Sequence, residues 1–490
     1  MPVVALVCAL FCLLASAPPA WAQAAGPQGT APAPRPHTSH PDAQWFPDAG
    51  FGLFIHWGIA SVKAMNISWP MIPGRPLGEK RIESAAERER IVRESDYNLD
   101  GKPPGITPLE YWQLARDFNP QSYDPDKWLS AAREAGFTYA VLTAKHHEGF
   151  ALWPSAYGDF STKNFMGGRD LIRPYVEACR RHGLKVGLYL GGPDWYFDRE
   201  YNDFLYYRAK QTNPELPALG PDLKPRRGEP EPQALKQHQA AYANMFKGQV
   251  EELLTRYGKI DLLWFDGKPR VPNGDQVITL QRIRELQPGI VVNARMHSDG
   301  DFVTFERRLP PVRPDVGWAE FCNPWTTSWS HQEIPFRANG FVLGQLALAR
   351  SWGVNYLLGV GPMASGELSA GVYQNMAAVR DWMKLNGPAV QGAGPLPPAE
   401  TASVPATARG ETRYLFAIPQ FRGESAYPEA QLPPADEVLK LWGLEQKPRS
   451  VTLLATGQPL EFSYTKGAIV IPLPASLRSS LVDVISVTLR

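Results

Sequence analysis

From Trp45 onward, short apolar runs alternate with longer stretches whose apolar residues recur every three or four positions. The runs FGLFIHW (51–57), YAVLTAK (139–145), LKVGLYL (184–190), IDLLWFD (260–266), IVVNAR (290–295) and NYLLGVG (355–361) are near-continuously apolar. That pattern predicts strands buried on both faces. Between them, 124–135, 171–182, 240–257 and 276–287 carry helical periodicity, the first opened by an Asp124 cap and Pro125. Strand–helix alternation predicts an α/β fold with a parallel sheet covered by helices. An open dinucleotide-binding sheet would place a glycine-rich turn after its first strand, whereas the first run here ends in IHWG. Six or more such units therefore favour a (β/α)8-like TIM barrel over residues 45–390, with insertions expected at 79–102 and 212–233.

Past residue 390 the pattern changes. RYLFAIP, SVTLLAT, LEFSY, AIVIPLP and VDVISVTLR are short runs split by Gly and Pro, the signature of a C-terminal antiparallel β-sandwich over 391–490. At the other end, an apolar run from Val3 to Leu14 precedes Ala20-Trp21-Ala22. Residues 1–22 read as a cleaved signal peptide, which implies export to a periplasm or out of the cell. The Pro- and Ala-rich residues 23–44 read as a flexible leader.

Composition excludes more than it identifies. Fifty Lys and Arg balance 49 Asp and Glu across 490 residues, so there is no electrostatic footprint for nucleic acid or an anionic membrane. No segment beyond the leader approaches the apolar length of a membrane span. Of four cysteines, Cys8 and Cys12 fall in the signal, and Cys179 and Cys322 lack metal-ligand spacing. They are expected to be two separate buried thiols. Fifteen tryptophans would suit sugar recognition, since an indole offers a broad apolar face and one donor, but they suit a core equally well.

The C-terminal strand ends form the working rim of such a barrel. There this chain places His56 and Trp57, then Lys145, His146, His147 and Glu148, then Tyr189, Asp194 and Trp195, then Trp264 and Asp266, and finally Asn293 and Arg295. Polar groups clustered where apolar strands stop indicate a binding rim. A metal centre is not expected: consecutive strand residues point to opposite faces, so His146 and His147 should not chelate one ion, and no H-E-x-x-H is present. Asp266, between Phe265 and Gly267, fits a nucleophile held by Arg and Tyr neighbours and a helix-capping turn residue about equally.

Taken together, FGLFIHWG, YAVLTAKHHEGFALW, GLYLGGPDW, DLLWFDG and NYLLGVGP resemble the α-L-fucosidases of glycoside hydrolase family 29, in the family's motif order from about Trp45 to about Leu385. The resemblance implies a barrel, a C-terminal sandwich, no metal or other cofactor, and hydrolysis of terminal α-L-fucosides on fucosylated glycans with retention. By position it implies Asp266 as nucleophile, and His56, His146 and His147 as partners of the sugar hydroxyls. It further implies Tyr189 and Arg295 beside the nucleophile, and Trp69 and Trp264 as pocket walls, with Trp329 a candidate wall for the deoxy-methyl group. The acid/base matches either of two patterns, Glu306 in DFVTFE or Glu320 in WAEFC, and Glu306 fits its pattern more cleanly. Three departures stand out: Ser68 where the family commonly has Glu, SWSHQ in place of SWGYN, and Gly359 in place of Asn. The first two leave open a glycosidase for a related sugar such as an α-L-galactoside, or a non-catalytic glycan-binding protein.

Overall fold

The computed structural model describes residues 37–79, 81–94, 106–226, 228, 230–424 and 427–489. The signal peptide, most of the leader and part of the 79–102 insertion lie outside the described residues.

Eight parallel strands are built from the apolar runs: β1 (Phe51–Ile55), β2 (Tyr139–Lys145), β3 (Lys185–Gly191), β4 (Leu262–Asp266), β5 (Val291–Val292), β6 (Val303–Glu306), β7 (Ala319–Pro324) and β8 (Asn355–Val360). They pair in the order β5-β4-β3-β2-β1-β8-β7-β6. Asp301 N–H donates to Val292 O (2.7 Å) and Ala294 N–H to Phe302 O (2.8 Å), joining the two edges and curling the sheet into a barrel. Six of the strands coincide with the predicted runs. The other two, β6 and β7, went unrecognised because their apolar stretches are short and broken by Thr304, Glu306, Glu320 and Asn323.

Crossovers carry α1 (Pro125–Glu134), α2 (Ile172–Arg181), α3 (Pro232–Arg256), α4 (Leu280–Leu286) and α5 (Asn339–Ser351), and α6 (Ala370–Asn386) follows β8. Asp124 caps α1 as expected, its side chain accepting from the Asp126 and Lys127 amides. The segments between β5 and β6 and between β6 and β7 form no helix. The C-terminal region faces the second of these segments across a cavity of about 560 Å3 lined by Arg307–Pro311, α5 and the sandwich.

The C-terminal region is a four-stranded and a six-stranded antiparallel sheet plus a hairpin. Leu439, Leu441, Ile469 and Ile471 of one sheet meet Leu415, Val451, Ile485 and Val487 of the other in their own core. The opposite face of the six-stranded sheet turns Tyr414, Phe416 and Val484 into the barrel's core, and Trp382 of α6 donates to Val482 O (2.7 Å). Cys179 and Cys322 are both buried free thiols.

Candidate active site

A cavity of about 210 Å3 opens at the C-terminal strand ends, lined by Phe54, His56, Trp69, His146, His147, Tyr189, Trp264, Asp266, Arg295, Glu306, Cys322 and Trp329. Ten of these are residues the sequence singled out, drawn from every barrel strand but one or from the segments that follow them. Phe54 and Cys322 were missed. Phe54 lies two residues before His56 on β1 and so shares its face, and Cys322 is the register partner of Glu306 across β6 and β7.

Asp266 ends β4, and its side chain is about one-fifth exposed to the cavity. It caps no helix. Tyr189 OH donates to its Oδ2 (2.8 Å), Arg295 Nη1 donates to its Oδ1 (2.7 Å), and His147 Nε2 lies 3.3 Å from Oδ2. Burial alone would raise this carboxyl, but the Arg295 charge and the His147 hydrogen bond outweigh it and hold it well below the usual carboxylate range. Asp266 is thus an ionised carboxylate facing open space.

Arg295 is the organiser. Its Nη2 donates to Glu306 Oε2 (2.8 Å) while Nε donates to Thr304 Oγ1 (2.7 Å), so one guanidinium carries Asp266 and Glu306 on adjacent nitrogens. The cation also lies over the Trp264 ring, 4.5 Å from its centroid. Glu306, the last residue of β6, has a side chain 40% exposed at the rim.

Glu320 occupies a different place. It is fully buried near the start of β7, in register with Thr304 and two residues deeper than the rim. Trp264 Nε1 donates to its Oε1 (2.8 Å) and Tyr139 OH to its Oε2 (2.7 Å). Burial raises its carboxyl to about 7, against the lowering effect of those two bonds and of Arg295. Glu320 does not line the cavity, so of the two acid/base candidates only Glu306 faces it.

The histidine pair corrects the alternation argument. β2 stops at Lys145, and His146 and His147 lie in the turn beyond it, their ring centroids 4.3 Å apart and both rings lining the cavity. Strand alternation does not reach them, and ligating atoms of His146, His147 and Asp266 come within 4.8 Å of one another. The trio still suits a dication poorly. Both Asp266 oxygens already accept hydrogen bonds, and the Arg295 cation stands against the same carboxylate. Burial pushes the His56 imidazole down to about 3 and His146 well below its usual value, so both rings are neutral and can exchange hydrogen bonds with hydroxyls.

Neighbouring loops hold these rings. Lys145 is buried and paired with Asp194 (2.7 Å) and Gln249 (2.7 Å), which fixes the loop carrying Trp195. Trp195 packs on both His147 and Trp69. Ser68, where the family commonly has Glu, is buried outside the cavity wall, its Oγ 2.6 Å from His146 Nδ1. Ser330 accepts from the Ile67 amide (2.6 Å) and ties its loop to residues 65–67, whereas His331 does not line the cavity. At Gly359 a Cβ would stand 3.1 Å from the Trp329 ring, so the missing side chain lets this wall lie flat against β8.

A family model described as α-L-fucosidase matches residues 21–388. The chain belongs to the α-L-fucosidase family. Tissue α-L-fucosidase of Rattus norvegicus is 27% identical over 373 residues, 73% of this chain and 71% of that protein. α-L-fucosidase isoenzyme 1 from Paenibacillus thiaminolyticus matches with a TM-score of 0.68 at 28% identity, over 92% of this chain and 99% of that one. The same fold is found in a GH29 α-L-fucosidase from Bacteroides thetaiotaomicron, trapped as a covalent intermediate with 2-fluoro-fucosyl fluoride: TM-score 0.67 at 23% identity, over 93% and 97% of the two chains. A fucosidase-family barrel with its strand-end cavity is therefore the frame in which these carboxylates act.

Proposed function

We propose that this chain is a retaining exo-glycosidase that removes terminal α-L-fucose from fucosylated glycans, with Asp266 as nucleophile and Glu306 as acid/base. The observation that carries this reading is Arg295, which holds the two carboxylates side by side at the mouth of one cavity. Retaining hydrolysis needs two carboxyl groups only about 5–5.5 Å apart, and a shared guanidinium keeps them close. The cavity of about 210 Å3 falls below the ~300–1,000 Å3 of drug-sized sites, which suits one terminal sugar rather than a chain.

In the first half-reaction Asp266 Oδ bonds to the anomeric carbon as the glycosidic C–O bond breaks, and protonated Glu306 gives its proton to the departing oxygen. In the second, Glu306 takes a proton from water while that water bonds to the anomeric carbon and releases Asp266. Tyr189 and Arg295 keep Asp266 ionised and aimed. Neutral His56 and His146 meet ring hydroxyls, His147 stands beside them with Nε2 on Asp266, and Trp69, Trp264 and Trp329 supply apolar walls for the sugar's C–H faces and methyl group. Export is part of this reading and rests on the apolar run and small-residue cleavage pattern of residues 1–22.

The test is release of 4-nitrophenol from an aryl α-L-fucoside, with the aryl α-L-galactoside alongside and NMR of the first anomer formed. We expect fucoside turnover, α-L-fucose as first product, and a loss of about a thousandfold or more in Asp266→Asn with folding kept. Near-normal rates in that variant, or β-L-fucose as first product, would overturn the assignment.

A further inference from the structure

The fully buried Glu320 is a carboxylate the mechanism above leaves without a task. Carboxylates are almost never placed inside a core without a specific partner set. Its two partners are unequal in consequence. Tyr139 sits lower in the barrel, its ring against Gly52 of β1. Trp264 lies in the cavity wall, with its Nε1 tied to Glu320, its ring stacked on Tyr189 at 5.4 Å and 20°, and the Arg295 cation over it at 4.5 Å.

We propose that Glu320 is a positioning residue: by accepting the Trp264 indole N–H it fixes the tryptophan on which Arg295 and Tyr189 rest, and so sets the spacing of Asp266 and Glu306. The geometry is a chain of direct contacts. An indole N–H has one proton and one direction, so a single acceptor beneath it stops the ring from rotating or tipping in its slot. Of the three groups that hold Asp266, Arg295 and Tyr189 both lie against that ring, while His147 does not depend on it. A loosened indole therefore displaces the nucleophile's supports and the Glu306 partner together, and misplacement of about 1 Å suffices to cost a large factor in rate. Bound sugar touches many other groups, so the loss falls on turnover more than on affinity.

This inference rests on the fucosidase reading for its kinetic readout, and near-UV circular dichroism of the tryptophan bands supplies a readout that needs no substrate. Four variants are compared: Glu320→Leu, Glu320→Gln, Trp264→Phe and Tyr139→Phe, with the Glu320→Leu/Trp264→Phe double variant. We expect Glu320→Leu to lower kcat by about tenfold or more with KM within about threefold, and to weaken the near-UV bands. Glu320→Gln, which keeps an acceptor for the indole, restores both. Tyr139→Phe, which breaks the other bond of the same carboxyl, leaves kcat unchanged, and the double variant is no slower than the slower single.

If Glu320→Gln is as slow as Glu320→Leu while Glu306→Ala stays active, Glu320 is itself the acid/base and the proposal falls. If Glu320→Leu lowers only the melting temperature, or the two losses multiply in the double variant, the residue does not act through Trp264 and the proposal falls. Should Glu320→Leu fail to fold, Glu320→Gln and Tyr139→Phe still decide it, since a kcat loss in Tyr139→Phe equal to that in Trp264→Phe would overturn it. Absence of fucoside turnover in the wild-type protein would count against the proposed function alone, and the near-UV comparison would still judge Glu320.

Discussion

Two glutamates on adjacent strands show how depth in a barrel assigns chemistry. Glu306 closes β6 at the rim, 40% exposed and paired with Arg295, while Glu320 is the second residue of β7, sealed between Trp264 and Tyr139. They are not register partners: Glu306 lies opposite Cys322, and Glu320 lies opposite Thr304. A shift of two residues, about 6–7 Å along a strand, separates a group that can meet substrate from one that can only hold the floor. Rim and floor should therefore fail differently, the rim in rate with little loss of stability, and the floor in stability wherever the Glu320–Trp264 bond is left intact.

The largest contrast is expected at the rim. Glu306→Ala should lower kcat/KM on a glycan substrate by about 10²–10⁴, the usual worth of a general acid. An aryl fucoside with a good leaving group should lose less in its first step, since its oxygen needs little protonation. The melting temperature should hardly move, because a surface-facing carboxylate contributes little to folding. A Glu306→Ala enzyme that keeps full rate on glycans would break the division between the two acids.

At the floor the order reverses. A Cβ on Gly52 would stand 2.2–2.6 Å from the Tyr139 ring, far inside contact distance. Gly52→Ala must push that ring and the hydroxyl it sends to Glu320, at a cost of about 1–3 kcal/mol for overpacking. Thermal unfolding should show the loss, with residual kcat per folded molecule close to wild type. A fall in kcat without destabilisation would mean that floor and rim are not separable in this way.

The same depth explains what could be read from the sequence. The six long apolar runs announced their strands, and Asp266, the histidines, Tyr189 and Arg295 could be singled out because each stands at or just past the C-terminal end of such a run. β6 and β7 were not legible: four and six residues long and broken by Thr304 and Glu306 and by Glu320 and Asn323, they offer no apolar run long enough to mark a buried strand. Glu306 and Glu320 sit on those two strands, so motif spacing alone could not choose between them. The histidine pair erred in the opposite sense, since strand alternation was carried two residues past the end of β2. Ser68 and Gly359 were legible as departures but not as contacts, because their partners His146 and Trp329 lie far away in the sequence.

The smallest and broadest effect is on stability against pH, where buried imidazoles and buried carboxyls pull in opposite directions. His56, whose ordinary value is 6.5, is pushed down to about 3 by burial, and burial lowers His146 in the same sense. Below 6.5 the unfolded chain takes up protons that these folded rings refuse, so stability is lost on acidification, by up to about 1.4 kcal/mol per pH unit for each group. Glu148 and Glu320, ordinarily at 4.5, are raised by burial to about 8 and about 7. Above 4.5 the unfolded carboxyls release protons that the folded ones retain, so stability is lost as pH rises, until each folded group itself ionises. Between 4.5 and 6.5 the two pairs oppose each other, giving a plateau, with decline on the acid side from the histidines and on the alkaline side from the glutamates. Melting temperatures across pH 4–9 should trace that shape, and Glu148→Gln should flatten the segment between about 7 and about 8, where Glu148 acts after Glu320 has ionised. A curve that climbs steadily to pH 8 would mean that both buried carboxyls ionise freely in the folded chain, and Glu320 at the floor would then be a charged group like Glu306 at the rim.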